Sequence, residues 1–268
     1  MDRVGLIAGN GRFPLIFAQT ARAAGIAVVA VAHEGETTPE LASSVEAITW
    51  IKVGQLERMI GAFRDSGIAR AVMAGGIRKA ALFEHFEPDE RGQRFLARLG
   101  SFGDDAILRG LAGELESEGI RIVESTLFLE SILTPHGPLT TRSPDAAQWK
   151  DIRLGIAVAK AVGQWDVGQS VVIHSGIIVA IEAIEGTDAT MRRGRAGAVV
   201  VKASKPQQDL RFDVPAVGLE TIRTCAEVGI AVLALEAGKT LLLDKDEMLR
   251  RAEAAQLAIV GVGESAAA

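Results

Sequence analysis

"RVGLIAGNGRFP", residues 3–14, is an apolar run of strand length that breaks at Gly9-Asn10-Gly11. Directly behind it, "LIFAQTARAAG", residues 15–25, carries apolar side chains at helical spacing and stops at Gly25. A buried strand, a glycine turn and a helix are the opening of a strand–helix–strand unit. The stretch decides the fold because the order then recurs. "IAVVAVAHEG" (26–35) reads as a strand and "QLERMIGAFRDSG" (55–67) as a helix closed by Gly67. "IARAVMAGGIRK" (68–79) is a strand with a second glycine turn, Gly75-Gly76. "DDAILRGLAGELESEG" (104–119) is a helix and "IRIVES" (120–125) a strand. Such alternation predicts a parallel sheet wrapped by helices, a Rossmann-like layout. Ligands of such sheets sit beyond the C-terminal strand ends, where both glycine turns fall.

"TPHGPLTTRSPDAAQ" (134–148) holds three prolines, a glycine and several hydroxyls, the composition of a linker. Beyond it a helix is expected over 144–163, headed by Pro144-Asp145. "QSVVIHSGIIVAIEAIEG" (169–186) predicts a hairpin about Ser175-Gly176. Strands are expected in 196–205, 230–238 and 257–263, a helix in 218–229, and a short strand followed by a helix in 239–256. The expectation is α/β throughout: a Rossmann-like parallel-sheet domain over 1–133, a linker over 134–148, and a mixed α/β catalytic domain over 149–268.

The 268 residues are 48% hydrophobic and 24% charged, an ordinary globular balance. A net charge of −5 argues against bulk nucleic-acid binding. Absence of tyrosine and only 4% aromatics argue against stacking platforms for single strands. A single cysteine, Cys225, forms no internal disulfide, and no leader is evident, so a reducing cytoplasm is expected. No run of 18 apolar residues predicts a membrane span.

Several motifs carry chemistry. "AGNGRFP" suits a phosphate or sugar close to backbone amides, with Gly9, Asn10 and Gly11 as binding residues. It is not a dinucleotide fingerprint, because the third glycine position falls on Pro14. "MAGGIRK" adds Gly75, Gly76, Arg78 and Lys79, an anion site or a turn with solvated charges. Asp104 and Asp105 either cap a helix or meet ligand. His174 is an acid/base candidate or a packed strand histidine.

Two strips concentrate charge. "AIEAIEGTDATMRRG" (180–194) groups Glu182, Glu185 and Asp188 with Arg192 and Arg193 about the Gly186-Thr187 turn. Clustered carboxylates need a cation or arginines to compensate them, and magnesium accepts two or three such acids while keeping water. The other reading is a surface hairpin with ion pairs. "KPQQDLRFDVPAVG" (205–218) sets Asp209, Arg211 and Asp213 two apart, on one face of an extended segment. An acid–base–acid face suits a metal plus a phosphate.

At these strips the chain resembles the LpxI family, the UDP-2,3-diacylglucosamine pyrophosphatases of lipid A biosynthesis. "VKASKPQQDLRFDVPAVGLETI", "GLIAGNGRFPL", "MAGGIRK", "GDDAILRG", "STLFLESILTPHGPLT" and "SVVIHSGIIVAIEAIEGTD" carry the resemblance over about residues 3–262. It implies a two-domain α/β protein and magnesium-dependent hydrolysis of UDP-2,3-diacylglucosamine to UMP and 2,3-diacylglucosamine 1-phosphate (lipid X). It implies Asp213 as the leading catalytic or metal-binding acid. On that basis the expected metal ligands are Asp213, Asp209, Glu182, Glu185 and Asp188. Arg211, Lys205 and Arg192 would take phosphate charge, Thr187 would join the binding set, and His174 or a carboxylate would orient water. The glycine turns would hold the nucleotide or the glucosamine phosphate. An apolar trough for the acyl chains is expected around "ALFEHF" or "STLFLESIL". A diacylated substrate implies transient contact with the inner membrane surface, and a homo-oligomer is open. The competing classes are a non-catalytic lipid-phosphate or nucleotide binder, a Rossmann oxidoreductase, and a sugar-phosphate transferase.

Overall fold

A computed structural model describes residues 2–78, 86–100, 104–212 and 214–263, the side chains of Asp104 and Asp105 excepted. The chain divides into two compact units, one of residues 1–130 with 209–213, the other of 131–208 with 214–268.

The first unit is a five-stranded sheet in the order β3-β2-β1-β4-β5, made of β1 (Arg3–Ala8), β2 (Ala27–His33), β3 (Ala47–Ile51), β4 (Arg70–Ala74) and β5 (Arg121–Ile122). Every pairing is parallel. Parallel sheets are covered on both faces, so their strands are continuously apolar rather than alternating. β1 follows this rule, buried from Val4 to Ala8. Among the described residues four helices accompany the sheet: α1 (Phe13–Ala23), α2 (Leu56–Asp65), α3 (Glu90–Arg98) and α4 (Asp104–Ser117). α2 buries Leu56, Met59, Ile60 and Phe63 against Ile7, Val31, Met73 and Ile122. Pro14 occupies the first turn of α1, where its missing N–H costs nothing. The proline that spoils a dinucleotide fingerprint thus starts the helix. β1 pairs with β2 on one side and β4 on the other, so strand order reverses at the ends of β1 and β4. That is the switch point where such sheets bind ligands.

The main sheet of the second unit has six described strands in the order β6-β13-β11-β9-β7-β8. They are β6 (Gly137–Pro138), β7 (Ser170–His174), β8 (Ile177–Ile181), β9 (Val199–Lys202), β11 (Val232–Glu236) and β13 (Ala258–Val262). β9, β11 and β13 run parallel, while β6, β7 and β8 make antiparallel pairings. A separate parallel pair joins β10 (Ala216–Val217) and β12 (Leu241–Leu242). The helices are α5 (Ala146–Gly163), α6 (Thr187–Arg192), α7 (Leu219–Val228) and α8 (Lys245–Ala254). α5 covers one face through Ile152, Ile156 and Ala159. Ile222, Cys225 and Met248 of α7 and α8 cover the other. A Cβ on Gly155 would lie 2.4 Å from Val201, so glycine sets how closely α5 lies on the sheet. Asp145 and Gln148 close a capping box at its start. The expected hairpin is present: Ser175 and Gly176 take φ 52° and 75°, and Asp151 accepts both their N–H groups.

Two features bear on the expected domain limits. The stretch 134–148 belongs to the second unit, where Gly137–Pro138 forms the edge strand beside β13. Thr140 Oγ1 accepts the Ile259 N–H at 2.8 Å, and Thr134 N–H donates to the Thr240 carbonyl at 2.9 Å. Prolines suit an edge strand because its outward N–H has no ladder partner to lose. Residues 209–213 belong to the first unit although they lie far inside the C-terminal sequence.

Candidate functional site

At the switch point of the first unit the two glycine turns meet. Gly9 N–H donates to the Ala74 carbonyl at 2.8 Å and Asn10 N–H to the Gly76 carbonyl at 2.7 Å. Gly11 and Gly75 have φ 80° and 78°, the left-handed region that glycine tolerates. Expected Arg78 lies beside this pair, but its guanidinium is committed to Glu36, at 2.7 Å from Nη2 to Oε1. The Ala8 carbonyl accepts from Thr37 Oγ1 at 2.6 Å and lies 2.9 Å from His33 Nδ1. Burial holds His33 below the usual imidazole range, against the opposing pull of Ala8 and Glu36. The arrangement is a platform in which hydrogen bonds tie the two turns to each other and to Glu36. Lys79 lies outside the described residues. Asp104 and Asp105 open α4, but their side chains are likewise outside.

Asp209 and Arg211 also stand in this unit. They do not share the face of an extended strand; residues 209–212 form a turn. Arg211 folds back on Asp209, donating from Nη2 at 2.8 Å and from its backbone N–H at 3.1 Å. Arg109 donates to the same carboxylate at 3.3 Å. The side-chain hydrogen bond from Arg211 is the main cause holding Asp209 below the usual carboxylate range. Ser125 fixes the turn by donating Oγ to the Met73 carbonyl at 2.7 Å and N–H to the Leu210 carbonyl at 3.0 Å. The Arg211 guanidinium stacks over Phe212, 4.7 Å from its centroid. Asp213 lies outside the described residues. Of the stretches expected to line an acyl trough, residues 81–85 lie outside them too, Phe86 is exposed, and Leu129 is fully buried core.

In the second unit, β8 ends at Ile181, so Glu182 comes one residue past the strand. Two residues further on, Ile184 is 88% exposed. Glu182 is buried at the sheet edge formed by Ser170, Lys202 and Glu236. Its Oε1 accepts from Thr187 Oγ1 at 2.7 Å, and Lys202 Nζ donates to that hydroxyl at 3.2 Å. Glu185 is paired with Arg193 at 3.1 Å. Burial, with repulsion from Glu220, pushes Asp188 above the usual carboxylate range. Arg192 donates to Thr224 Oγ1 at 3.4 Å, and Lys205 pairs with Asp166. His174, the expected acid/base candidate, lies apart from Glu182 in this unit. It ends β7 at the hairpin, while Glu182 stands beyond Ser170 at the other end. Four residues of strand separate the two ends by about 13 Å.

These surroundings bear on magnesium. The expected set of Asp209, Glu182, Glu185 and Asp188 draws on both units, and no metal-holding group of three His, Cys, Asp or Glu occurs among the described residues. Asp209 and Glu185 already carry arginines, and Glu182 carries a hydroxyl donor. A magnesium ion at these described acids would have to share or displace those partners.

Three residues that sequence reasoning missed are prominent. Glu36 has no motif; only its partner 42 residues away makes it special. Lys202 is a buried lysine ending an apolar strand, a pattern visible in "VVVKAS". Glu236 ends β11 likewise and accepts from Lys160 Nζ at 2.8 Å and from Ser204 N–H and Oγ at 2.7 Å. No described helix is long and apolar enough to cross a membrane.

Comparison with known proteins gives a match to the LpxI N-terminal domain over residues 3–132 and to the LpxI C-terminal domain over 135–260. The UDP-2,3-diacylglucosamine pyrophosphatase LpxI of Caulobacter vibrioides is 33% identical over 277 residues, covering 98% of each chain. Among solved structures, the biotin carboxylase domain of Hydrogenobacter thermophilus 2-oxoglutarate carboxylase matches 65% of this chain at 16% identity, with a TM-score of 0.28. Phosphoribosylglycinamide synthetase from Anaerococcus prevotii matches 69% at 11% identity, also at 0.28. The chain spans only 35% and 39% of those two structures' lengths.

Proposed function

The chain belongs to the LpxI family, and we propose from that premise that it hydrolyses the pyrophosphate bond of UDP-2,3-diacylglucosamine in lipid A biosynthesis. The products on this reading are UMP and lipid X. The observation that carries it is the end-to-end likeness to a relative named for that activity.

The chemistry is a displacement at phosphorus. Water attacks the phosphate next to the sugar, the bond to the bridging oxygen breaks, and UMP leaves with that oxygen. The protein must offset phosphate charge, aim the water and stabilise the departing UMP. Asp213 is the acid proposed to lead. The glycine platform of the first unit would take a phosphate-bearing part of the substrate at the switch point. Arg211, Arg192 and Lys205 already hold carboxylate partners, so a pyrophosphate would compete with Asp209, Glu220 and Asp166 for them. Magnesium, when bound, would supply further charge neutralisation; its requirement is proposed through Asp213.

Incubation with UDP-2,3-diacylglucosamine, with magnesium and with chelator, tests the reading by UMP release. In ¹⁸O-water the label belongs in lipid X. Binding without UMP release would make the protein a carrier, and label in UMP would reverse the attacked phosphorus. Unchanged rates in chelator would remove magnesium. A cytoplasmic enzyme touching the inner membrane transiently is the matching proposal for location, read by vesicle flotation with and without substrate. Sedimentation would show whether a homo-oligomer forms.

A further inference from the structure

Glu36 lies just beyond β2, and its side chain is 0% exposed while that of Arg78 is 60% exposed. Oε2 accepts from Asn10 Nδ2 at 3.0 Å and from the Arg78 backbone N–H at 2.8 Å. Oε1 accepts from Arg78 Nε at 2.8 Å, with Nη2 at 2.7 Å. Asn10 belongs to the turn after β1, and Arg78 follows the turn after β4. One carboxylate therefore ties together two loops that the chain places far apart.

An acid just past the second strand of such a sheet ordinarily accepts a ribose hydroxyl. Glu36 is not available for that. A carboxylate offers about four lone-pair sites, and the donors of Asn10 and Arg78 occupy both its oxygens. Every partner is a donor, so the group must be an ionised carboxylate to satisfy them all. Removing it would take their shared acceptor from Asn10 Nδ2 and from the N–H and Nε of Arg78 at once.

We propose that Glu36 is a positioning residue for substrate: it sets the turns at 9–11 and 75–78 so that their backbone N–H groups and the Arg78 guanidinium meet phosphate oxygens. It does not touch the substrate itself. The proposal rests on the hydrolase reading above and deepens it, by assigning a phosphate to the glycine platform.

Glu36→Gln is the informative variant, because it keeps the shape but turns one acceptor oxygen into an NH₂ facing N–H donors. The expected result is a KM for UDP-2,3-diacylglucosamine raised about tenfold, the scale of one lost charge-assisted hydrogen bond, with kcat changed less than about threefold. Hydrogen exchange should quicken in peptides spanning 9–12 and 74–78 and stay unchanged in those of β9 and β11. Calorimetry with UMP and with glucosamine 1-phosphate should show one of them weakened by a similar factor, and that one identifies the phosphate seated there. Unchanged KM and unchanged affinity for both probes would overturn the proposal. Uniformly faster exchange with a lowered melting temperature would overturn it too, by making Glu36 merely structural. If the wild-type protein released no UMP, the hydrolase reading would fall, and the probe affinities and exchange pattern would still decide the role of Glu36.

Discussion

Gly9 and Gly75 stand back to back where β1 and β4 end. A Cβ on Gly9 would come within 2.3 Å of the Gly76 carbonyl oxygen, and one on Gly75 within 2.3 Å of that of Asn10. Both obstacles are backbone, which cannot rotate aside as a side chain can. Gly9→Ala should therefore push the turns apart and cost about 1–3 kcal/mol. Urea unfolding read by a probe in the first unit checks the size. UMP release should fall with it, and a fully active Gly9→Ala protein would show that the close approach is not needed.

Asp213→Ala should abolish UMP release while substrate still binds, since the acid is proposed to act in the chemical step. Single-turnover assays and calorimetry with UDP-2,3-diacylglucosamine separate the two. Turnover near the wild-type rate would remove Asp213 from the reaction.

Acid sensitivity follows from carboxylates held below their ordinary range. For Glu36 and Glu236, burial alone would raise the pKa, but hydrogen bonds from Arg78 and Asn10, and from Lys160, Ser204 and Lys239, outweigh it. A depressed folded pKa means the unfolded chain binds more protons, so stability rises with pH. That contribution is complete above the usual glutamate value of 4.5 and is lost as pH falls through the folded values. Melting temperature should hold from pH 7 to about 5 and then drop. Glu236→Ala leaves Lys160 without its carboxylate and should cost about 3 kcal/mol at pH 7. Asp188 has the opposite sign: its raised pKa makes ionisation costly, so Asp188→Asn should raise the melting temperature at pH 7.

Cys225 is fully buried against Met191, and burial pushes its thiol up to about 12. The thiolate is the reactive form. At pH 8 a disulfide reagent should label the native protein very slowly and the denatured protein at once. Rapid native labelling would mean that α7 opens readily.

The glycine turns were legible because each is a local event: an apolar run, a pair of glycines, a helical period. The hairpin at Ser175-Gly176 and most of the succession of strands and helices along the chain were legible for the same reason. β3, "AITWI", is a half-buried edge strand with no turn signal before it, and it escapes a search for continuously buried runs. The edge strand Gly137–Pro138 within 134–148 was not legible, because proline and threonine mark an edge strand as readily as a connector.

The sequence by itself determined the strand–helix order, the covered parallel strands and the family, since these rest on periodicity and on long uninterrupted motifs. Only the tertiary structure decided how charge is spent. It seated 209–212 against Ser125 in the first unit, placed His174 at the far end of β7 from Glu182, and closed Glu36 under Asn10 and Arg78. The physical reason is that a carboxylate's role depends on which donors surround it and how dry it is, and both are settled by residues tens of positions away.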